Sequence, residues 1–400
     1  MRVLSLFALL GMSLAALAES WQFDEPLLVS PRSENVFHHL ESAGRRNIAV
    51  SDEQVAIIWE DDRDGTPRVY LARKALSDTA FAAPVRISGD GEAYEPGLVA
   101  LGEGRFAAAW EEDGRVRLRV IGRHSLGPRL SLPEGESVQP SLLYANGELQ
   151  LTVAQRDGRH NRIYLYRFEV DRNALLPKGS CAVDAEAAGA DQLYPTLARQ
   201  QGLTVVAWED RRPGHTIIMA AQSQPDTSCG FSPPLRISLR PEGAVDMPFG
   251  RGHGVSRVAL AAYGDEAILA VWEDKRDFRE GYAIYAAHWH RDGGFGANQR
   301  VQDEFGSVAR QWHPSVSGDA AGRLVVAWAD ERDGDANILF SIHDGHDWSE
   351  DYNLPGATGP GVQNHPSITL DAQGKLHAAW VERERADGPT RLKYVFGERQ

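Results

Sequence analysis

Glu95, Gln139, Tyr194, Arg257, His313 and His365 each stand at nearly the same distance ahead of a recurring tryptophan or its replacement, and Arg45 or Arg46 holds that place in the first copy. All are polar and few are alike. A repeat could supply one residue type at every copy, so side chains that differ at equivalent positions are better functional candidates than those that recur. Arg257 can hold a carboxylate through paired hydrogen bonds. His313 and His365 can exchange protons near neutral pH, since an unperturbed imidazole titrates at about 6.5. Tyr194 can donate to a leaving oxygen or stack on a ring. Tyr194, His313 and His365 are therefore the catalytic candidates. The ligand-binding candidates are Arg45, Arg46, Glu95 and Arg257, joined by Arg251 and His253 from the Gly-rich run Phe249–Gly254. Glu95 makes the set mixed in sign, and the alternative is a wet, unused channel mouth.

Five histidines fall in the segments that lead into these positions: His38, His39, His253, His313 and His365. Neutral imidazoles bind zinc or copper, but no HxH or HExxH spacing occurs. Asp330, Asp333, Asp335 and Asn337 place oxygen ligands at short spacing, as a calcium loop does, without its terminal Glu. A plain turn is the simpler reading. No cofactor is expected, with calcium or a His-bound transition metal as the alternatives. His160, His215, His288, His290, His343, His346 and His377 read as strand or turn surface positions.

The elements that must position these residues repeat. Val325-Val326-Ala327-Trp328-Ala329-Asp330-Glu331-Arg332 is one copy, and Trp59, Trp110, Trp208, Trp272 and Trp380 mark others. A degenerate copy, Leu149 to Ile163, has Ala154 where the Trp is expected. A period of about 50 residues fits four strands per unit, the signature of a propeller blade. Strand A opens with Pro96, Pro140, Pro195, Pro314 or Pro366, strand B carries the Trp, C follows the turn, and D closes. The last unit lacks a D strand, and Pro26 to Ser30 matches the D pattern. The chain is thus expected to be all-β, a seven-bladed β-propeller whose ring is closed by an N-terminal strand completing the last blade. The A strands then line a channel, and the residue ahead of each looks into its mouth. The Trp-Glu-Asp-x-Arg turn recurs in most blades, so its carboxylates and guanidinium read as structural.

Residues 1–18 read as a secretory signal: Arg2, an apolar core from Val3 to Leu14, and Ala16-Leu17-Ala18. Residues 19–400 then form one propeller domain, and no apolar run is long enough for a membrane span. A net charge of −14 argues against nucleic acid. A periplasmic or secreted location permits a disulfide. Cys181 and Cys229 lie at the ends of neighbouring blades 3 and 4, and a bridge between them is expected, with two free thiols as the alternative.

The unit Val-Val-Ala-Trp-Glu-Asp-x-Arg-x-Gly, followed by an Ile-Tyr strand as at Ala283-Ile284-Tyr285, resembles repeats of exported bacterial propellers of the sialidase-like (BNR-repeat) superfamily. The resemblance runs from Trp21 to the C-terminus and is one of repeat. Ser317 to Gly322 only echoes the family's Asp-box, and Pro31-Arg32-Ser33 stands where an Arg-Ile-Pro would. The resemblance implies a glycan-like or other anionic ligand in a polar funnel. Seven-bladed lyases of uronate polysaccharides use a His or Tyr base and a carboxylate-neutralising Arg. Hydrolase or lyase activity, simple binding, and a non-catalytic periplasmic scaffold for an envelope protein partner are the competing functions.

Overall fold

The computed structural model describes residues 21–399, apart from 32, 34, 41–45, 134, 187–188, 226–228, 240–253, 277–280, 307 and 386. Seven antiparallel sheets stand in a ring, and among the described residues the only helical turn is a 3-10 turn at Glu304–Gly306. Blade 4 shows the plan: strand A Gln192–Gln200, B Leu203–Asp210, C Ile217–Gln222, D Leu235–Arg236. Gln201 and Gly202 join A to B with φ of 49° and 78°, the double left-handed conformation of a tight hairpin. Every residue of strand B is buried, because a blade packs on both its faces. Most D strands have only two paired residues, which keeps the outer edge short.

The core is distributed over the seams between blades. Clusters of buried apolar side chains fill all seven, including the seam between blades 7 and 1, where Ala379 and Val381 meet Ile57 and Trp59. Each repeat Trp is fully buried and faces the preceding blade. The Trp380 N–H has no partner among the described residues, but in blades 1, 4, 5 and 6 the indole N–H donates to the acid two residues on: Trp59 to Asp61 at 2.7 Å, Trp208 to Asp210 at 3.0 Å, Trp272 to Asp274 and Trp328 to Asp330 at 2.9 Å. That acid is gripped in turn by the turn arginine: Arg63, Arg212, Arg276 or Arg332. The recurring motif is therefore a bolt for the B–C turn. The oxygens of Asp330 are committed to this bolt.

Blade 7 consists of strands Val362–Leu370, Leu376–Arg383 and Thr390–Arg399. Leu27–Ser30 pairs with the last of these, Leu27 opposite Tyr394, and closes the ring. Trp21–Phe23 extends the same pairing outward, with Trp21 opposite Arg399. Cys181 and Cys229 form a disulfide from strand D of blade 3 (Ala174–Ala182) to the C–D loop of blade 4.

Two sequence expectations are corrected. In blade 3 the tryptophan's place belongs to Val153, not Ala154. Val153 lies opposite the strand A irregularity and in the seam with blade 2, while Ala154 faces blade 4. Three histidines read as surface are inside the seams: His377 is 0% exposed, His343 5%, and His288 is half-buried beside Tyr263. An alternating strand pattern does not reveal that both blade faces are covered.

Candidate functional site: the channel mouth

Strand A shares one register change in blades 2 to 7, where two residues oppose one: Glu95-Pro96, Gln139-Pro140, Tyr194-Pro195, Arg257-Val258, His313-Pro314 and His365-Pro366; blade 2 has a second between Ala100 and Gly102. The first residue of each pair has φ between 50° and 60°, the left-handed region that non-glycine residues rarely occupy. The proline that follows in five of the six has no N–H to leave unpaired. A bulge re-aims its side chain. These six are the positions singled out by spacing, and all six share the same bulge.

A carboxylate holds most of these bulges. Glu60 accepts the backbone N–H of Glu95 at 2.9 Å, Glu111 that of Gln139 at 2.6 Å, Glu209 that of Arg257 at 2.9 Å and Glu273 that of His313 at 2.7 Å. The acceptor sits one residue after the preceding blade's Trp. Ala154 and Ala329 leave that place without a carboxylate, and side-chain amides take over: Gln139 holds Tyr194 at 2.7 Å and Asn364 holds His365 at 2.8 Å. Blade 1 differs. Its strand A is split into His38–His39 and Ile48–Ser51, and Arg46 reaches from the split to the Leu260 carbonyl of blade 5 at 3.4 Å. His38, in contrast, is buried against Ser30 and Thr390. Arg45, Arg251 and His253 lie outside the described residues.

Two pairs form at the mouth. The Arg257 guanidinium lies 4.2 Å from the centroid of the Tyr194 ring, in cation–π contact. His313 and His365 stack with centroids 4.2 Å apart. Asn364 Oδ1 accepts the His365 N–H, and His313 Nδ1 lies 2.9 Å from the same oxygen. Nδ1 of His313 therefore carries a proton, and its Nε2 is the acceptor when the ring is neutral. Burial, then the charges of His313, His39, Arg383 and Arg257, hold His365 well below the usual imidazole range. Its buried Nδ1 has no hydrogen-bond partner among the described residues.

A cavity of about 410 Å³ opens beside the first pair, lined by Tyr194, Glu209, His215, Ser256, Arg257 and Tyr282 among others. Burial pushes the Glu209 carboxyl upward against the opposing Arg257 N–H and charge, and Glu273 adds to the rise. Gly254 permits the close approach of Tyr282, whose hydroxyl would lie 2.5 Å from a β-carbon there. Tyr282 stacks on Trp312 at 4.8 Å, and Trp312 stands 6.4 Å from His313. An aromatic track thus runs from the cavity to the histidine pair. Sequence reasoning missed Tyr282, Trp312 and Glu209. The available signal was that Trp312 is off the repeat and adjoins a bulge histidine. Among the described residues no three His, Cys, Asp or Glu side chains converge as a metal site needs.

No protein-family model and no curated protein matches the chain. Solved structures do. A Dyadobacter fermentans protein of unknown function aligns with TM-score 0.57 at 12% identity, over 95% of this chain and 99% of that one. The GH93 α-L-arabinofuranosidase of Fusarium graminearum, in complex with arabinobiose, aligns with TM-score 0.53 at 12% identity, over 76% and 92%. The β-propeller domain of the Trilobed protease from Pyrococcus furiosus gives 0.53 at 12%, over 93% and 95%. At these identities the likeness shows the β-propeller fold alone.

Proposed function

We propose that the channel mouth binds a saccharide carrying an acidic group, with the carboxylate on Arg257 and the sugar ring on the track of Tyr282 and Trp312. The observation that supports this most is Arg257 laid on Tyr194 at the edge of the cavity. A guanidinium fixed by an aromatic face and a bulge is pre-organised for a planar oxyanion. Aromatic rings flanked by polar groups suit a sugar, whose C–H face is apolar and whose hydroxyls are not. The glycan-acting propeller among the structural neighbours is compatible with this reading. The finer kinship, to the sialidase-like superfamily, is part of the same proposal.

The same groups supply turnover chemistry. Neutral His365 or His313 can take the proton beside a uronate carboxyl that Arg257 neutralises. The glycosidic C–O bond then breaks to leave a double bond, and Tyr194 or Glu209 protonates the departing oxygen. Hydrolysis would instead use Glu209 as the acid and a water as the nucleophile. We further infer that residues 1–18 direct export to the periplasm or beyond and that 19–400 are one domain. The formed disulfide fits an oxidising compartment. No helix among the described residues is long and apolar enough to cross a membrane.

Phe305 and Val308 are 91% and 81% exposed on the loop entering blade 6, at the same face. They favour the second reading, a scaffold that docks an envelope protein there. Calorimetry with uronate oligosaccharides and neutral arabino-oligosaccharides separates the two. Binding of the uronates supports the site, and a UV-absorbing unsaturated product marks elimination. Binding of neither class, with capture of an envelope protein that depends on Phe305, selects the scaffold.

A further inference from the structure

We propose a second ligand site on the opposite face, at the seam of blades 3 and 4, for a small molecule bearing an oxyanion, built on Arg167 and Arg199. A cavity of about 290 Å³ lies there. Its floor and rim include Asn146 and Gly202, from the A–B turns of blades 3 and 4, and Ser223, Cys229 and Phe231 from the C–D connection of blade 4. Both kinds of connection stand at the strand ends remote from the bulges, so this cavity is separate from the channel mouth.

Arg167 comes from strand C of blade 3, opposite Gln150, and Arg199 from strand A of blade 4, opposite Thr204. The Nε of each is buried with no hydrogen-bond partner. Arg68, Arg105, Arg162 and Arg276 share that feature, but each grips a carbonyl or carboxylate through another guanidinium nitrogen. Among the described residues neither the Arg167 nor the Arg199 side chain makes a hydrogen bond or an ion pair. Buried donors in proteins are almost always satisfied, and two such guanidinia at one cavity form a charged fork that carboxylate, sulfate or phosphate oxygens match.

The rest of the lining is organised for a polar guest. Thr204 donates to Gln150 at 2.9 Å, and Gln150 donates to Glu148 at 3.0 Å. The Ser223 hydroxyl accepts the Thr204 N–H at 2.9 Å, which leaves its own O–H to donate. Glu148 also lines the cavity and opposes an anion. Its presence selects for a ligand that reaches both arginines over one that touches a single charge. The Cys181–Cys229 bridge ties the rim of blade 4 to strand D of blade 3 and so fixes the width of the cleft.

Calorimetry on the intact chain tests this with phosphate, sulfate and citrate as probes and glycerol as the neutral control. Phosphate or sulfate as the tighter probe indicates a tetrahedral oxyanion, and citrate a polycarboxylate; glycerol does not bind. Arg167→Gln and Arg199→Gln each weaken the preferred anion at least about tenfold, and Glu148→Gln tightens it. Arg257→Gln, at the other face, leaves the component of binding that depends on Arg167 and Arg199 unchanged. Urea midpoints are read alongside, and Arg167→Lys, which keeps the stem and charge but loses the fork, serves if glutamine does not fold. Absence of anion binding at millimolar concentration, or binding retained in the folded arginine variants, overturns the site.

Discussion

Arg257 is held at two points: its guanidinium rests 4.2 Å from the Tyr194 ring centroid, and its backbone N–H donates to Glu209 at 2.9 Å. One carboxylate of blade 4 thereby sets both the bulge and the direction of the side chain. Glu209→Ala leaves that N–H without its acceptor, which costs about 1–3 kcal/mol for a buried donor. Glu209→Gln keeps an acceptor oxygen and should lose less than about 1 kcal/mol. Urea titration of the two variants checks this, and equal losses would contradict it.

The bolt, in the blades that carry it, should be felt more than the surface. Trp328→Ala removes a fully buried aromatic and is expected to cost roughly 3–5 kcal/mol. Asp330→Ala strands the Trp328 N–H and removes one of the three carboxylates on Arg332, leaving Asp303 and Asp351, with an expected loss of about 1–3 kcal/mol. The two effects should not add, because they dismantle one unit. A double variant with the summed loss would show that the Trp and the Asp act independently.

Stability should fall on mild acidification. Burial pushes His38 and His288 down to about 4. Their folded pKa lies below the unfolded value, so between pH 4 and 6.5 the unfolded chain binds more protons. Stability is therefore full above about 6.5 and declines as pH falls toward 4, by roughly 3 kcal/mol for fully buried His38. Melting curves from pH 7 to 4.5 measure this, and His38→Gln should flatten the slope. A midpoint constant over that range would contradict the assignment.

The repeat made the ring and its closure readable from the chain. Trp59, Trp110, Trp208, Trp272, Trp328 and Trp380 keep time because each fills the same seam pocket, and Leu27 to Ser30 carries the D-strand pattern that blade 7 lacks. The mouth positions were readable as a circle for the same reason. What held them there was not: a left-handed residue such as Tyr194 or His365 has no sequence mark beyond the proline that follows. Val153 was misplaced because a valine fills the seam without announcing itself. Tyr282 and Trp312 escaped because their pairing joins a B–C connection to the next blade, a contact that no single repeat contains.

Closure can be tested apart from function. Removing residues 21–30 uncovers strand Thr390–Arg399 and strips Val29 from the seam of blades 7 and 1. The truncated chain should aggregate or melt well below the full one. An unchanged melting temperature would contradict closure by this strand.

The most direct measurement of the central claim is the affinity of Arg257→Gln for a uronate trisaccharide, set beside a neutral trisaccharide of the same length. The account predicts uronate binding at least about tenfold weaker, or about 1.4 kcal/mol, with the neutral sugar and the melting temperature unchanged. Wild-type affinity for the uronate in a correctly folded Arg257→Gln protein would contradict it.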